Sequence, residues 1–245
     1  MIPKQIHYCW FGRKPLSVLA LKCIDSWKKF LPEYDIIEWN EDNFDINMIP
    51  YTKEAYEMKK YAFVSDYARF WILYNYGGLY FDTDVEIISN IDDIIARGPF
   101  MGREAGSFFN SDKELIAPGL GLGVSPGHFL YAEILEKYAS TNFIVNGVLN
   151  ETTVVKYTSD ILKKYVSEYI SDDIDCIEGV YIYSPEYFCP IDYHTGKKNI
   201  TLNTRTIHYY SASWKTTREK FKHQIIKLLG PRLTSIFVSL KARIF

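Results

Sequence analysis

Residues 65–86 read S-D-Y-A-R-F-W-I-L-Y-N-Y-G-G-L-Y-F-D-T-D-V-E, and no other part of the chain constrains the architecture as strongly. Ser65 can cap a helix, and Gly77-Gly78 ends it because glycine tolerates the backbone conformation of a helix C-terminus. The apolar run at 79–81 predicts a buried strand. The segment therefore predicts a helix, a tight turn and a strand that leads directly into two aspartates.

The sequence around this segment alternates strands with helices. Residues 2–11 and 35–39 are β-rich, and apolar residues at helical spacing predict a helix over 19–30. Strand–helix–strand order favours an α/β domain with a single, mostly parallel sheet flanked by helices. Further on, the pattern predicts helices over 129–140 and 152–170, strands over 180–183 and 206–210, and loops with little regular structure over 98–128.

The overall composition is that of a folded globular protein, with 47% hydrophobic and 24% charged residues among 245. The four cysteines are scattered without a C-x-x-C pair, which favours reduced thiols over a zinc site or a disulfide framework. The first residues lack the pattern of a signal peptide, and no run of about 18 apolar residues occurs. We therefore expect a cytoplasmic protein.

The formal net charge of −2 is unevenly distributed. Residues 215–245 carry eight Lys and Arg against one acid, Glu219, so the remainder is acidic. An acidic body argues against a nucleic-acid partner. The pattern predicts a catalytic domain over 1–214 and a basic amphipathic helical tail over 215–245. The tail can lie on an anionic membrane at the inner face of the cell, or pack on the domain as a helical hairpin.

Asp82 and Asp84 follow the predicted buried strand. Residues two apart in a strand face the same side, and open α/β sheets bind ligands beyond the carboxyl ends of their strands. Two neighbouring carboxylates repel each other unless a cation lies between them, and Mg²⁺ or Mn²⁺ would also bridge a diphosphate. The alternative is an acidic pair that caps a helix or faces water. The Gly-Gly turn and the buried strand favour the metal site.

Asp66 and Arg69 are three residues apart on the predicted helix and share a face. A surface ion pair worth roughly 0–1 kcal/mol is one interpretation. The other places Asp66 on a ribose or sugar hydroxyl and Arg69 on phosphate or sugar oxygens, which suits the planar guanidinium. Spacing alone leaves both interpretations open.

The block at 65–86 closely resembles the signature of the family 32 glycosyltransferases. That family includes bacterial capsule and lipopolysaccharide enzymes and the yeast initiating mannosyltransferases, and the large clostridial glucosylating toxins share the block. Residues 2–12, I-P-K-Q-I-H-Y-C-W-F-G, resemble the family's opening strand. The resemblance implies a GT-A type fold, a nucleotide-sugar donor, a Mn²⁺-type metal and retention of anomeric configuration.

The resemblance also implies roles for six positions. Those are Trp10 stacking on the donor base, Asp66 and Arg69 contacting the donor sugar, Tyr80 as the aromatic residue before the acidic pair, Asp82 shared between ribose and metal, and Asp84 as direct metal ligand. Without the resemblance, Trp10 is better interpreted as a core residue.

A second resemblance covers residues 207–215, I-H-Y-Y-S-A-S-W-K, which are similar to the family's C-terminal H-x-x-x-x-S-W element. It implies a loop that closes over the diphosphate and a metal ligand at His208. It also implies contacts to the β-phosphate from Ser213, Trp214 and Lys215. Residues 210–212 depart from the family's W-A-G, and a lone histidine on a strand is more commonly structural. His7 is interpreted as packing beside the opening strand.

Gly119, Gly121 and Gly123 lack the spacing of a dinucleotide-binding loop, because Val124 occupies the position of its third glycine. We interpret them as a flexible loop near the acceptor site.

Together these patterns predict a metal-dependent transferase that moves a hexose from a nucleoside diphosphate sugar to a glycan or lipid-linked oligosaccharide. A UDP-sugar is favoured over a GDP-sugar, and surface polysaccharide synthesis (capsule or O-antigen) is the expected setting. One rival is a non-catalytic nucleotide-sugar or glycan-binding protein on the same fold. The other is an aspartate-nucleophile phosphatase, which Glu86 disfavours because such enzymes have Thr or Val there.

Overall fold

A computed structural model describes residues 1–104, 115–166, 174–192 and 196–211. The helices in these ranges are α1 (Val18–Phe30), α2 (Pro50–Glu57), α3 (Tyr61–Tyr76), α4 (Asp92–Arg97), α5 (Phe129–Ala139), α6 (Val154–Leu162) and α7 (Pro185–Phe188). The strands are β1 (Gln5–Cys9), β2 (Asp35–Trp39), β3 (Gly78–Tyr80), β4 (Val85–Ile87), β5 (Phe100–Glu104), β6 (Leu115–Ile116), β7 (Leu122–Val124), β8 (Ile144–Val145), β9 (Val148–Leu149), β10 (Ile174–Ile177), β11 (Val180–Tyr183) and β12 (Thr206–His208).

The main sheet has eight strands in the order β10-β11-β5-β7-β3-β1-β2, with β6 paired to β5 beside this path. Strands β2, β1, β3, β5 and β11 point the same way, while β7, β6 and β10 run against their neighbours. This confirms the predicted α/β class with one mostly parallel sheet flanked by helices, the arrangement expected of a GT-A type fold.

The sheet separates two apolar clusters. Alternate residues of β1 point to opposite faces, so Ile6 and Tyr8 join the cluster that contains α1 and α7, while Cys9 joins the cluster of α2, α3, α5 and α6. Tyr80 of β3 faces the same side as α3. The polar residues that follow β3 therefore lie on the side of the sheet that α3 covers.

Helix α3 begins at Tyr61, and the predicted cap at Ser65 is wrong. Ser65 lies one turn inside the helix, where its hydroxyl donates to the Tyr61 carbonyl at 3.1 Å. The helix starts earlier because Phe63 and Val64 are buried and extend its apolar face. Its C-terminus agrees with the prediction, since Gly77 follows the last helical residue with φ +66°.

The predicted loop over 98–128 is also wrong, because β5, β6 and β7 lie within it. Strand β7 inserts between β3 and β5, and Gly123 pairs with Leu79 on one side and Phe100 on the other. A Cβ at Gly123 would lie 2.2 Å from the Phe100 ring. Glycine here permits close packing of a strand, whereas its frequency in the sequence suggested a loop.

A small antiparallel sheet of β4 and β12 lies outside the main one. Helix α1 fastens β4 from the other side: the Trp27 Nε1–H donates to the Val85 carbonyl at 2.8 Å, and the Ile87 N–H donates to the Ser26 hydroxyl at 2.9 Å. This small sheet positions the residues on either side of the turn that follows β3.

Among the described residues, no helix is both long enough and apolar enough to cross a membrane. The predicted tail at 215–245 lies outside the described residues, so its helices and the proposed domain division remain predictions.

Candidate active site

Asp82 and Asp84 lie in the turn between β3 and β4. The Asp82 N–H donates to the Gly119 carbonyl at 3.1 Å, and the Val85 N–H donates to the Asp82 carbonyl at 3.0 Å, which closes the turn. The two carboxylates do converge, but a turn and not the alternation of a continuous strand brings them together.

His208 comes to this turn on β12, where it pairs opposite Val85 of β4. Its Nε2 is 3.3 Å from Asp84 Oδ1. One potential ligand atom from each of Asp82, Asp84 and His208 lies within 4.8 Å of the others. The structure thus brings together the three residues that the sequence suggested as metal ligands.

Asp84 is buried and well supplied with donors. The Ser211 N–H donates to its Oδ2 at 2.8 Å, and the Tyr209 N–H donates to its main-chain carbonyl at 3.0 Å. Burial alone would raise the pKa of Asp84, but His208 and Ser211 hold it below its usual value. Burial likewise opposes charge on His208, and Asp84 nevertheless raises the His208 pKa well above normal.

Arg69 bridges two acids from the interior of the protein, with its side chain only 4% exposed. Its Nη2 is 2.9 Å from Asp66 Oδ1 and 3.3 Å from Asp82 Oδ1. The guanidinium also lies over the Tyr80 ring, 5.0 Å from its centroid, and the Tyr80 hydroxyl donates to Asp82 Oδ1 at 3.1 Å. The Asp66–Arg69 pair is therefore not the solvent-exposed ion pair that spacing alone allowed.

Asp66 is 8% exposed. Burial raises its pKa to about 7, although Arg69 and the backbone of Val154 at the start of α6 act to lower it. A carboxyl with a perturbed pKa beside a specific charge partner is typical of functional sites.

Gly119 lies in the turn between β6 and β7, and its contact with Asp82 is one that the sequence reasoning missed. A Cβ at Gly119 would lie 2.0 Å from Asp82 Oδ2 and 3.2 Å from Arg69 Nη1. Any larger residue there would require the Asp82 carboxylate to move, while the Gly119 carbonyl accepts the hydrogen bond from the Asp82 N–H. The sequence analysis interpreted these glycines as a loop near the acceptor site, and nothing in their spacing indicated contact with an acid some forty residues earlier.

Trp10 follows the carboxyl end of β1, and Asp82 follows the carboxyl end of β3. Because the two strands are adjacent and parallel, both residues lie at the same end of the sheet. Trp10 is half-buried, and its Nε1–H donates to the Lys14 carbonyl at 2.6 Å. Trp10 borders an open cavity of about 300 Å³ together with Lys14, Pro15, Glu38 and Asn40. This indole is neither a core residue nor fully exposed.

Three side chains hold the end of β12 against α1, which the sequence reasoning also missed. Lys22 of α1 donates to Glu86 at 2.7 Å and to the Tyr209 hydroxyl at 3.0 Å, and Tyr209 donates to Glu86. We call these three residues the β12 clasp. Their separation in sequence gives no local signal for the contact.

His7 is buried, as expected for a residue packed beside the opening strand. Ser213, Trp214 and Lys215 lie outside the described residues, so their suggested phosphate contacts remain predictions.

The donor set at the turn fits a divalent metal. Two carboxylates and one imidazole are acceptable ligands for Mn²⁺, whereas Mg²⁺ prefers oxygen. In the structure Asp84 and His208 form an ion pair that lowers the pKa of Asp84 and raises that of His208, so a bound metal would take the place of the His208 proton. Each of the three side chains can turn a donor atom to a common point, since those atoms are at most 4.8 Å apart.

Residues 17–101 match the family described as glycosyltransferase sugar-binding region containing DXD motif. The chain is also 27% identical over 191 residues to uncharacterized glycosyltransferase L373 of Acanthamoeba polyphaga mimivirus, covering 75% of this chain and 73% of that protein. The matched family segment contains Asp66, Arg69, Asp82 and Asp84.

Solved structures give more distant likenesses. PaToxG glycosyltransferase is 17% identical with a TM-score of 0.49, covering 68% of this chain and 70% of its own. A glycosyltransferase involved in glycosylation of the major capsid of PBCV-1 is 13% identical with a TM-score of 0.47, covering 92% of this chain and all of its own. The galactosyltransferase LgtC is 12% identical with a TM-score of 0.45, covering 92% and 94%.

Proposed function

We propose that this chain is a metal-dependent glycosyltransferase that transfers a hexose from a nucleoside diphosphate sugar to a glycan. Its similarity to the DXD-containing sugar-binding region over residues 17–101 and to a viral glycosyltransferase supports the transferase class. The observation that carries this proposal is the convergence of Asp82, Asp84 and His208 within 4.8 Å. The buried Asp66–Arg69 pair joins the same centre through Asp82.

Asp82, Asp84 and His208 would hold Mn²⁺ or Mg²⁺, and the imidazole favours Mn²⁺. When bound, the ion supplies positive charge that stabilises the two negative charges of the departing diphosphate. Ser211 supports the arrangement by fixing the Asp84 carboxylate through its N–H.

Arg69 and Asp66 would orient the donor sugar. The Arg69 guanidinium is held by two carboxylates and by the Tyr80 ring, so its position is set before the donor binds. Trp10 would stack on the donor base beside the 300 Å³ cavity. Ser213, Trp214 and Lys215, which lie outside the described residues, would contact the β-phosphate in this proposal.

We assign transfer with retention by attack on the face from which the diphosphate leaves. The bond from the anomeric carbon to the phosphate oxygen breaks as the acceptor hydroxyl forms its bond, and the departing phosphate accepts the hydroxyl proton. A UDP-sugar is the favoured donor. The proposed acceptor is a glycan or lipid-linked oligosaccharide in capsule or O-antigen synthesis, which suits a basic tail at 215–245 on the inner membrane surface.

A thermal-shift screen tests the donor assignment. UDP-, GDP- and other nucleotide sugars are added to the full chain with and without Mn²⁺, and a matching pair of donor and metal raises the unfolding midpoint. We expect the largest rise for a UDP-sugar with Mn²⁺ and its loss in Asp84→Asn. Asp25→Asn is the matched control, since Asp25 is exposed and pairs only with Lys28 among the ion pairs of the described residues.

Two outcomes contradict the proposal. If the donor raises the unfolding midpoint equally with and without excess chelator, the metal has no part in donor binding. Tight donor binding without turnover on a panel of glycan and lipid-linked acceptors favours the non-catalytic binding protein.

A further inference from the structure

Tyr210, just beyond the end of β12, has a left-handed backbone with φ +50°. A bulky residue with a Cβ seldom adopts this conformation and keeps it only where its surroundings fix it. The amides on either side of it reach one aspartate: the Tyr209 N–H donates to the Asp84 carbonyl at 3.0 Å, and the Ser211 N–H donates to Asp84 Oδ2 at 2.8 Å. The conformation of Tyr210 therefore directs both neighbouring amides to Asp84.

The side chain of Tyr210 lies between His208 and helix α7. Its ring packs against the His208 imidazole, with ring centroids 4.2 Å apart. Its hydroxyl is 2.8 Å from the Sγ of Cys189, and either group can be the donor. Cys189 ends α7, where its N–H donates to the Pro185 carbonyl at 2.8 Å, and the preceding Phe188 is fully buried. Tyr210 thus joins His208 to a helix that is anchored in the core.

The His208 imidazole is supported unequally at its two nitrogens. Its Nε2 is 3.3 Å from Asp84 Oδ1. Its Nδ1 is buried and forms no well-directed hydrogen bond within the described residues, although the Cys189 thiol lies close to the imidazole. A histidine that binds a metal normally donates its second nitrogen to a carboxylate or a main-chain carbonyl, which fixes the ring. At His208 the ring contact with Tyr210 takes the place of that hydrogen bond.

We propose that Tyr210 is a positioning residue for the metal site. Its ring holds the His208 imidazole, and its backbone directs the Ser211 N–H to Asp84. The contact with Cys189 keeps Tyr210 in this place and covers the thiol, since only 6% of Cys189 is exposed. The role in metal binding rests on the proposed function, whereas the contact between Tyr210 and Cys189 does not.

Alkylation of Cys189 tests this contact without any activity. Iodoacetamide is added to the full chain, and mass spectrometry of its peptides gives a separate rate for each of the four cysteines. Tyr210→Phe keeps the ring and removes only the hydroxyl. We expect it to raise the alkylation rate of Cys189 about two- to tenfold, because one lost hydrogen bond changes an opening equilibrium by about that factor.

Tyr183→Phe is the matched control. Tyr183 of β11 is buried, and its ring packs against Phe188, the neighbour of Cys189, with centroids 5.7 Å apart. Loss of this hydroxyl should leave the alkylation rate of Cys189 unchanged, because Tyr210 keeps its contacts. An equal rise in the two variants, or no rise in Tyr210→Phe, overturns the proposal.

Binding of Mn²⁺ separates the role of the ring from that of the backbone. Tyr210→Gly removes the ring but suits the left-handed conformation, because glycine adopts positive φ without steric cost. Isothermal titration should show the apparent affinity for Mn²⁺ falling about 10- to 100-fold in Tyr210→Gly, as is usual when the support of a metal ligand is lost. In Tyr210→Phe, which keeps the ring, it should fall less than about threefold. Equal affinities in wild type and Tyr210→Gly overturn the positioning role.

Protection of Cys189 by Mn²⁺ separates this inference from the proposed function. At about ten times its dissociation constant, Mn²⁺ should slow alkylation of wild type about tenfold, because it binds only while Tyr210 is in place, and Asp84→Asn should lose this protection. Protection by Mn²⁺ without acceleration in Tyr210→Phe supports the metal site and overturns the role of Tyr210. Acceleration in Tyr210→Phe without protection by Mn²⁺ leaves the contact standing and overturns the metal in the proposed function.

Discussion

Asp84 is held from two directions, by His208 on β12 and by the main chain of residue 211. The neighbouring His208 and the Ser211 N–H offset the cost of burying this charge, because both stabilise the ionised carboxylate. A bound metal would supply the positive charge in place of the His208 proton. Asp84 is therefore the residue on which the metal proposal can be tested most directly.

Asp84→Asn keeps the size of the side chain and removes its charge. We expect kcat for sugar transfer to fall about 10²–10⁴-fold, because a metal centre contributes several kcal/mol to stabilising the leaving group. Initial rates with a labelled donor measure the effect, and Asp25→Asn should retain the wild-type rate. Full activity of Asp84→Asn in excess chelator contradicts the prediction.

Gly119→Ala places a methyl group where Asp82 Oδ2 now lies, at a distance of 2.0 Å. The carboxylate must move, so we expect kcat to fall at least about tenfold, corresponding to more than 1.4 kcal/mol. Gly127→Ala is the control, since a Cβ there meets nothing within 4 Å and only its φ of +77° is unfavourable. That variant should lose stability and keep its kcat. Equal kcat values in the two variants would contradict the role of Gly119.

His7 links the fold to pH. The Trp39 Nε1–H donates to His7 Nδ1 at 3.1 Å, so the ring must be neutral and its Nε2–H donates to the Gly77 carbonyl, also at 3.1 Å. Burial lowers the His7 pKa from 6.5 to about 4. Protonation of His7 Nδ1 would place its N–H against the Trp39 Nε1–H, so this hydrogen bond would be lost.

The sign of this effect follows from proton binding. Between about pH 6.5 and pH 4 the unfolded chain binds the His7 proton and the folded chain does not, so stability is present above pH 6.5 and is lost on acidification. Relative to His7→Gln, wild type should lose about 3 kcal/mol more of its free energy of unfolding from pH 7 to pH 4. Urea titrations at several pH values measure it, and parallel curves for the two proteins contradict it.

Strand β12 is only three residues long, and we expect side-chain contacts outside the strand to help hold it in place. The β12 clasp of Lys22, Glu86 and Tyr209 lies on its exposed side, and exposed ion pairs contribute at most about 1 kcal/mol. Loss of the β12 clasp should therefore change the position of His208 more than the free energy of unfolding of the whole protein.

Tyr209→Phe removes the hydroxyl that hydrogen-bonds to both Lys22 and Glu86 at the end of β12. We expect the apparent affinity for Mn²⁺ to fall about three- to tenfold, as is usual for residues that orient metal ligands, with a small change in unfolding. Isothermal titration with Mn²⁺ measures the affinity. Lys28→Met on the same helix, which breaks only an exposed pair with Asp25, should leave it unchanged. If the affinity for Mn²⁺ falls equally in both variants, the β12 clasp has no specific part in metal binding.

The elements show where sequence reasoning succeeded. Helix α1 was predicted nearly to the residue because its apolar residues recur at helical spacing and Pro32 follows it, although its N-cap Ser17 was not identified. The bounds of strand β2 agree with the prediction. The glycine-rich region over 98–128 was mistaken for loops, because β7 is short and uses glycines to fit under Phe100. Its strand character comes from neighbours distant in sequence.

The site divides in the same way. Asp66, Arg69, Asp82 and Asp84 lie in one contiguous block, so the sequence identified them. His208 was reached through resemblance to a second motif, and the structure brings it next to Asp84. Gly119, Tyr209 and Ser211 act through backbone placement and long-range contacts, for which local periodicity carries no information.

Over the whole molecule, charge predicts behaviour at a membrane. Residues 215–245 carry eight basic side chains and one acid, whereas the rest is acidic. Full-length protein should sediment with vesicles rich in anionic lipid and lose this at high salt, with each basic residue near the surface contributing about 1 kcal/mol. A chain ending at residue 215 should remain in the supernatant. Equal sedimentation of the two chains favours the packed hairpin.

The pairing of β4 with β12 also bears on how the protein is made. β4 leaves the ribosome early, while its partner follows roughly 120 residues later, so its outer edge stays unpaired through most of translation. During that interval α1 covers β4 from one side only. The unpaired edge of β4 in the nascent chain can then pair with a strand of another polypeptide. The proposed metal site would be completed last, because a polypeptide released before residue 208 has only two of its three proposed ligands and an unpaired edge on β4.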